Sequence, residues 1–234
     1  MSQPEDVQPL IDSGMTRQMA AYRSAIADGM PRVGWKIGIN DPAAQQRMGL
    51  TETIVGWLDG RRVFREGEPY AAPVGATPRI EAEVAVRMAA DVPRGASFDE
   101  ARAAIDSVAP VIEFVNGAKP IVPLDEMLAH DILHDGVLFG QDAPLETALG
   151  LVAEGFPAVH QNGELIRAGL AGRYPDDLAE IVAHTADVLG EYGETLRAGD
   201  RIICGSYIDP FPVASGDSVE ADFGPLGKLS FSLA

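Results

Sequence analysis

The sequence has a single cysteine, Cys204, so no disulfide can form within the chain. Only 6% of its 234 residues are aromatic, and no apolar run approaches the roughly 20 residues that span a bilayer. Basic residues are scarce as well: 18 lysines and arginines stand against 35 acidic residues, for a formal net charge of −17. Such a surface repels phosphate backbones and anionic lipid headgroups, and no basic patch offsets the repulsion. These deficits disfavour nucleic-acid and membrane partners and favour small ligands or metal ions.

The rest of the composition is typical of a globular protein, with 46% hydrophobic and 23% charged residues. The length favours one compact unit over two small domains. We therefore predict a single domain over 1–234, with a helical N-terminal extension over 1–32 and a core over 33–234. The opening residues 1–6 are polar and acidic, without the basic and apolar regions of a secretion signal, which predicts a cytoplasmic protein. Cys204, in an apolar run, is expected to be a buried thiol.

Helical and strand signals are interspersed irregularly along the chain. Apolar residues recur at helical spacing over 6–28 and 175–196, and a capping box at 97–100 begins a third helix. The segment Gln161-Asn162-Gly163-Glu164 predicts a tight hairpin. Short strands are predicted over 33–39, 80–88, 110–115, 137–139, 201–204, 218–223 and 228–233. Because these strands do not alternate with crossover helices, we predict an α+β fold with a large mixed sheet rather than a doubly wound parallel one.

Two glutamates, Glu81 and Glu83, alternate with apolar residues in one predicted strand. The strand period of two places both carboxylates on one face and Ile80, Ala82 and Val84 on the other. A half-exposed strand with a solvated acidic face explains this segment equally well. The pair is therefore not specific by itself.

Two further charges, Glu113 and Lys36, stand in predicted strands that are apolar on both faces. A lone buried charge is costly unless an opposite charge or strong donors compensate it, although a lysine can also extend its ammonium to the surface. If Glu81, Glu83 and Glu113 share one divalent cation beside Lys36, the formal charges cancel. Ligation by oxygen alone favours Mg²⁺ or Mn²⁺ over zinc. The sequence thus predicts an open hard-metal site, which a substrate with adjacent carboxylate and keto oxygens would chelate.

A series of motifs along the chain resembles one family: Gly-Trp-Lys-Ile-Gly at 34–38, Ile-Glu-Ala-Glu at 80–83, the strand 108–115 with its glutamate, Gly205-Ser206, 212–217 and 221–227. Together they resemble the 2-keto-4-pentenoate hydratase / 2-oxohex-3-enedioate decarboxylase branch of the fumarylacetoacetate hydrolase superfamily. The resemblance implies a mixed β-sheet roll of the fumarylacetoacetate hydrolase type with flanking helices, here preceded by an N-terminal helix, in a homo-oligomer. It also implies that Glu81, Glu83 and Glu113 bind Mg²⁺ or Mn²⁺ and that Lys36 lies in the active site.

The reaction implied by the resemblance is hydration or decarboxylation of a small 2-oxo acid or 2-hydroxydienoate through a metal-stabilised enolate. Lys36 would act electrostatically or as a proton shuttle, and its protonation state stays open at this point. The resemblance also makes Ser206 a candidate for contact with substrate.

The chain departs from the family pattern at two places. Relatives carry a Pro-Asp-Phe-Gly-like stretch whose acid transfers protons, whereas this chain has Ile54 at that point. Relatives also have an Asp-Asn-Ala-Ser-Ser-like loop, which corresponds here to a differing and shorter stretch that begins at Asp131. Asp59 and His134 are the candidates for replacing the altered acid–base and substrate-facing groups.

Other hypotheses about function remain open at this point. His130 and His134, four residues apart on a predicted helix, mimic a zinc protease motif but lack a third ligand. The sequence contains no Gly-x-Ser-x-Gly elbow, no P-loop and no helix-opening Gly-x-Gly-x-x-Gly. The altered residues leave two alternatives within the same fold: a binding or scaffold subunit that has lost its chemistry, and a recruited biosynthetic enzyme.

Overall fold

A computed structural model of the chain describes residues 7–117, 123–170 and 177–234. Its helices are α1 Gln8–Ala27, α2 Pro42–Met48, α3 Phe98–Ala103, α4 Leu124–Ala129 and α5 Ala179–Glu191. Its strands are β1 Arg32–Gly38, β2 Ile54–Asp59, β3 Val63–Phe64, β4 Pro78–Met88, β5 Ile105–Asn116, β6 His134–Phe139, β7 Ala158–Gln161, β8 Glu164–Ala168, β9 Arg201–Ile203, β10 Phe211–Pro212, β11 Ser218–Asp222 and β12 Lys228–Ser232. Within these ranges, no helix has the length and apolar character that crossing a bilayer requires.

The larger sheet is mixed and curled. Its strand order is β2-β1-β9-β4-β5-β6-β3, and β10 pairs with β4. The β1–β9 and β3–β6 pairs are parallel and the others are antiparallel. β2 and β6 contact each other although four strands separate them in the sheet, so the sheet rolls up. The second sheet, β12-β11-β7-β8, is antiparallel. This architecture confirms the predicted α+β fold with a mixed sheet and flanking helices.

The two faces of the rolled sheet have different surroundings. Its outer face carries the main apolar core, including Trp35, Ile80 and Ile112. The inner face has only a small apolar cluster, formed by Leu58, Ala85, Val111, Val137 and Ile203. Because side chains alternate along a strand, the residues that follow Trp35, Ile80 and Ile112 point to the inner face. The charged residues of the predicted site occupy those inward positions.

Several local predictions agree with the structure, and others differ from it. The capping box is present, with Ser97 Oγ accepting from the Glu100 N–H and the Glu100 carboxylate accepting from the Ser97 N–H. Five elements, however, have no counterpart among the predicted ones: β2, β3, β10, α2 and α4. The predicted helix over 130–134 is wrong, because α4 ends at Ala129 and three successive residues have left-handed φ: Asp131, Ile132 and Leu133. His130 and His134 therefore do not share a helix face.

Candidate metal centre and active-site cavity

The three predicted glutamates meet on the inner face of the sheet. β4 and β5 pair antiparallel with Glu81 directly opposite Glu113, and Glu83 follows on the same side of β4. One carboxylate oxygen from each residue lies within 4.8 Å of those from the other two. Glu83 and Glu113 are 0% exposed. The alternative of a solvated acidic face on the strand of Glu81 and Glu83 is therefore excluded, since Glu83 is fully buried.

The hydrogen bonds of the buried pair leave one oxygen of each carboxylate without a partner. Glu83 Oε2 accepts from the Gly205 N–H at 2.7 Å, and Glu113 Oε1 accepts from both Lys36 and His134. Glu83 Oε1 and Glu113 Oε2 are buried and have no hydrogen-bond partner among the described residues. Leaving such oxygens unpaired is unfavourable, and a hard cation would satisfy them. The donor set therefore fits Mg²⁺ or Mn²⁺.

Lys36 lies inside the roll and does not extend to solvent. It is 2% exposed, on β1 between Gly56 of β2 and Ile203 of β9, and its Nζ donates to Glu113 Oε1. Burial alone would lower the pKa of Lys36, but the charges of Glu113 and Glu81 outweigh it and raise the pKa. The ammonium form is thus favoured, as the charge-balance argument requires.

The three carboxyl groups differ in their ionisation. Burial, followed by the charges of Glu113 and Glu81, holds the pKa of Glu83 well above its ordinary value. Burial and the charge of Glu113 also raise the pKa of Glu81. Burial acts in the same direction on Glu113, but Lys36 and His134 lower its pKa on balance. Without a cation, the Glu81–Glu83 pair therefore favours retention of a proton, which a divalent ion would displace.

His134 is a second donor to the same glutamate. It begins β6, and its side chain is 1% exposed. Because a carboxylate only accepts hydrogen bonds, the 2.7 Å contact with Glu113 Oε1 assigns a proton to His134 Nδ1. Its Nε2 is buried without a partner among the described residues. His134 thus holds Glu113 from the neighbouring strand β6.

Asp131 is a buried acid near this group that the sequence analysis did not select. Its Oδ1 accepts from the Trp57 N–H at 2.7 Å, which ties the start of β6 to β2. A Cβ at Gly56 would stand only 2.7 Å from this oxygen and 3.0 Å from Lys36 Cγ, so the approach depends on glycine. Burial holds the pKa of Asp131 well above its ordinary value. Its left-handed backbone, φ 55°, is not recognisable from local sequence.

A cavity of about 300 Å³ opens beside Lys36 and Glu81. Ser206 lines it, and the Ser206 hydroxyl donates to the Ile208 carbonyl at 2.8 Å, which leaves its oxygen able to accept. The side chain of Asn40 donates to the Ser206 carbonyl at 3.2 Å and fixes the end of β1 against this loop. Apolar walls complete the cavity, with contributions from Ile39, Val115, Met127, Ile132 and Leu133.

The other candidates for the altered acid–base group lie elsewhere. Asp59 lines a separate cavity of about 420 Å³, which it shares with His134 and Asp131. Its carboxylate accepts from the Arg61 backbone and guanidinium, at 2.7 to 2.9 Å. Ile54 is 5% exposed and belongs to the main core. The structure thus brings Lys36, Ser206 and Glu81 to one cavity, with Glu83 and Glu113 clustered beside Glu81. His134 contacts Glu113 but lines the other cavity, together with Asp59.

No protein-family model matches the chain. Curated relatives include a 2-oxo-hept-4-ene-1,7-dioate hydratase from Escherichia coli, 28% identical over 94% of this chain and 85% of the relative. Another is a 2-hydroxyhexa-2,4-dienoate hydratase from Comamonas testosteroni, 26% identical over 87% of this chain and 79% of the relative. These similarities confirm the resemblance that the motifs indicated.

Solved structures give the same result. The 4-oxalocrotonate decarboxylase from Pseudomonas putida G7, complexed with calcium and acetate, superposes with a TM-score of 0.83 at 26% identity, over 93% of this chain and 83% of the other. The same decarboxylase complexed with magnesium and adipate gives 0.81. A putative fumarylacetoacetate hydrolase family protein from Yersinia pestis CO92 gives 0.64 at 16% identity, over 88% of this chain and 95% of the other, which shows the shared fold.

Proposed function

We propose that this chain, which is homologous to the 2-oxo acid hydratases and decarboxylases and has the fold of the fumarylacetoacetate hydrolase superfamily, is a divalent-metal-dependent lyase. Its substrate would be a small 2-oxo acid or 2-hydroxydienoate, which it hydrates or decarboxylates. The observation that carries the proposal is the set of three inward carboxylates with two buried, unpaired oxygens beside an ammonium. The relatives, which are named as hydratases and decarboxylases, support it.

In this proposal, Glu81, Glu83 and Glu113 hold Mg²⁺ or Mn²⁺. When bound, the ion would act as a Lewis acid towards negative charge on the 2-oxygen of the substrate. Lys36 places a positive charge beside the same position, since its ammonium form is favoured. Ser206 would accept a hydrogen bond from substrate, and the apolar walls would restrict bulk water. His134 and Lys36 together orient Glu113 by occupying one of its oxygens.

The test is turnover by metal-stripped protein to which Mg²⁺ or Mn²⁺ is returned. With 2-hydroxypenta-2,4-dienoate, loss of the conjugated chromophore would report hydration, and with 2-oxohex-3-enedioate, release of carbon dioxide would report decarboxylation. We expect turnover that requires the metal and is lost in Glu113→Gln. Metal-loaded, folded protein that turns over no 2-oxoenoate or 2-hydroxydienoate would refute the proposal.

One observation favours a second candidate, a subunit that keeps the metal but has lost the chemistry. Ile54 is apolar and buried where relatives carry a proton-transferring acid, so no acid is present at that position. This candidate predicts Mg²⁺ binding that Glu113→Gln removes, without turnover of any of these substrates. Metal-dependent turnover by the protein alone would exclude it.

A further inference from the structure

Resting on the proposed function, we propose that Asp131 is the proton donor of the reaction and exchanges protons between the substrate beside Lys36 and water in a second cavity. The second cavity, of about 420 Å³, is lined by Asp59, Asp131 and His134. The substrate cavity, of about 300 Å³, lies beside Lys36 and Glu81. In the proposed reaction the substrate passes through an enolate, which becomes a 2-oxo acid only when one of its carbon atoms takes up a proton.

The two ionisable groups beside the three-glutamate centre already have other roles. Lys36 donates to Glu113 and balances part of the negative charge of the glutamates. Glu81 belongs to the proposed ligand set. If Lys36 gave its proton to the substrate, the site would lose a positive charge that stabilises negative charge on the 2-oxygen. A separate acid would leave this charge in place.

Asp131 lies at the boundary between the two cavities. A Cβ at Gly56 of β2 would stand 2.7 Å from Asp131 Oδ1. The same point is 3.0 Å from Lys36 Cγ and 3.2 Å from Ile132 Cδ1. Lys36 and Ile132 line the substrate cavity, whereas Asp131 lines the second cavity. The missing side chain at Gly56 thus brings the carboxyl group of Asp131 next to the side chain of Lys36.

The two oxygens of Asp131 have different surroundings. Oδ1 accepts from the Trp57 N–H at 2.7 Å, which fixes the carboxyl group. Oδ2 has no hydrogen-bond partner in the described part of the chain, and unlike the unpaired oxygens of Glu83 and Glu113 it is not fully buried. Asp131 is 9% exposed and lines the second cavity, so water there can reach it. Oδ2 can therefore carry a proton and exchange it with this water.

Burial favours the protonated form of Asp131 by holding its pKa well above the ordinary value. Lys36 of β1 acts in the opposite direction, whereas Glu113 of β5 and Asp59 of β2 act in the same direction as burial. The other titratable side chains that line the second cavity are Arg62, His130, His134 and Asp135. A carboxyl group in this state holds a proton when the enolate forms and is suited to donate it.

The proposed step conserves atoms and electrons. The O–H bond of the Asp131 carboxyl group breaks, and its proton bonds to a carbon atom of the substrate. The electron pair of the new C–H bond comes from the enolate, whose C2–O bond becomes the C2=O double bond, and the O–H pair stays on Asp131 as a carboxylate. This carboxylate regains a proton from water in the second cavity, which balances the proton released to solvent when the 2-hydroxyl ionised.

Hydrogen–deuterium exchange at C3 of 2-oxovalerate isolates the proton transfer, because this acid can enolise but has no double bond to hydrate. In D₂O, with Mg²⁺-loaded protein and detection by NMR, we expect Asp131→Asn to slow the exchange roughly 100-fold or more. The Kd of 2-oxovalerate, measured by calorimetry, should stay within about threefold of the parent value, since Asp131→Asn keeps an acceptor for the Trp57 N–H.

The matched control is Asp59→Asn. It removes a carboxylate from the same cavity, but one that Arg61 already binds, so the exchange rate should stay within about threefold of the parent rate. Equal exchange in Asp131→Asn and the parent would overturn the inference, as would the absence of exchange from the parent.

Infrared spectra give a measurement that does not depend on activity. In Mg²⁺-loaded protein at neutral pH, the carbonyl band of a protonated carboxyl group should be present in the parent and in Asp59→Asn. Asp131→Asn should remove this band. If the band of the parent is unchanged in Asp131→Asn, Asp131 carries no proton to donate and the inference is wrong.

The outcomes separate this inference from the proposed function. With 2-hydroxypenta-2,4-dienoate, we expect Asp131→Asn to lower kcat about 100-fold or more and to change KM by less than about threefold. If the parent turns over this dienoate and Asp131→Asn does so with equal kcat, the lyase proposal stands and only the role of Asp131 is refuted. If the metal-loaded parent turns over no 2-oxoenoate or 2-hydroxydienoate, both proposals fall.

Discussion

At the scale of single residues, Glu113 is the residue that contacts the other charged and polar groups of the site: Lys36, His134 and the two other glutamates. One of its oxygens accepts from Lys36 and His134, and the other has no hydrogen-bond partner in the described part of the chain. This division leaves a single oxygen available for a metal ion. Groups that orient a ligand in this way commonly change metal affinity 10- to 100-fold when they are removed. We therefore propose that His134 is a positioning residue for the metal.

Replacement of His134 tests this role directly. We expect His134→Leu to weaken Mn²⁺ binding about 10- to 100-fold, measured by electron paramagnetic resonance titration, because Glu113 loses one of the two donors that hold it. His130→Leu is the control, since that ring is exposed and its contacts given by the structure are to Glu126, at 2.8 Å from the carbonyl and 3.7 Å from the carboxylate. Equal Mn²⁺ affinity in the two variants would contradict the positioning role.

Asp131 leads to a prediction about pH. Burial raises its pKa in the folded protein, so the protonated form is favoured there, and its contribution to stability falls as pH rises above the unfolded pKa. Asp131→Asn keeps an acceptor for the Trp57 N–H and cannot ionise. In protein treated with EDTA, the gain in Tm of the variant over the parent should therefore increase between about pH 4 and pH 8. Asp99→Asn, on the exposed first turn of α3, is the control variant, and a gain of Asp131→Asn that shrinks as pH rises would contradict the assignment.

At the scale of elements, the position of Lys36 depends on the close parallel pairing of β1 and β9. Gly34 lies in this pair, opposite Arg201, with φ 143°. A Cβ there would stand 1.9 Å from the Arg201 carbonyl oxygen, which is far inside van der Waals contact. The two strands can therefore approach each other only with glycine at this position, and Lys36 follows two residues later on the same face.

We expect Gly34→Ala to lower the free energy of unfolding by about 3 kcal/mol or more, because the two backbones must separate. Gly29→Ala is the matched control: its φ is 89°, but no heavy atom lies within 4 Å of its Cβ position, so only the local strain of about 1 kcal/mol applies. Urea unfolding of both variants measures the difference. Equal losses would show that the strands adjust without cost.

At the scale of the whole molecule, a chain with net charge −17 brings three carboxylates together beside one lysine, and of these four residues only Glu81 is half-buried while the others are buried. The net −3 of the glutamates and the +1 of Lys36 leave a deficit that one divalent ion would neutralise. Binding of such an ion to the folded state alone must stabilise the whole chain by mass action. Metal binding at the three glutamates should therefore affect both the stability of the fold and the proposed activity.

Addition of Mg²⁺ to the metal-stripped protein should raise Tm, by an amount corresponding to about 2.7 kcal/mol when free Mg²⁺ is 100 times its Kd. Glu113→Gln should abolish the shift, since it removes one ligand charge from the buried centre. Glu164→Gln, on the exposed part of β8, controls for weak binding of Mg²⁺ to the acidic surface and should keep the shift. A shift that persists in Glu113→Gln would place the ion elsewhere.

The sequence by itself determined those features that depend on neighbours along the chain. Strand alternation assigned Glu81 and Glu83 to one face, and the apolar surroundings of Glu113 and Lys36 indicated two charges in or near the core that could compensate each other. The order of the motifs along the chain indicated the family, and the family implied the fold. Each of these inferences uses a local period or the cost of burying a charge, and both can be evaluated without coordinates.

The tertiary structure alone decided how the remaining groups meet. The contact between His134 and Glu113 and the approach of Asp131 to β2 join segments far apart in the chain. The left-handed turn at 131–133 replaces the helix that local spacing predicted, because closure of the rolled sheet between β2 and β6 sets that backbone. Such contacts result from packing among all strands, so no local pattern encodes them.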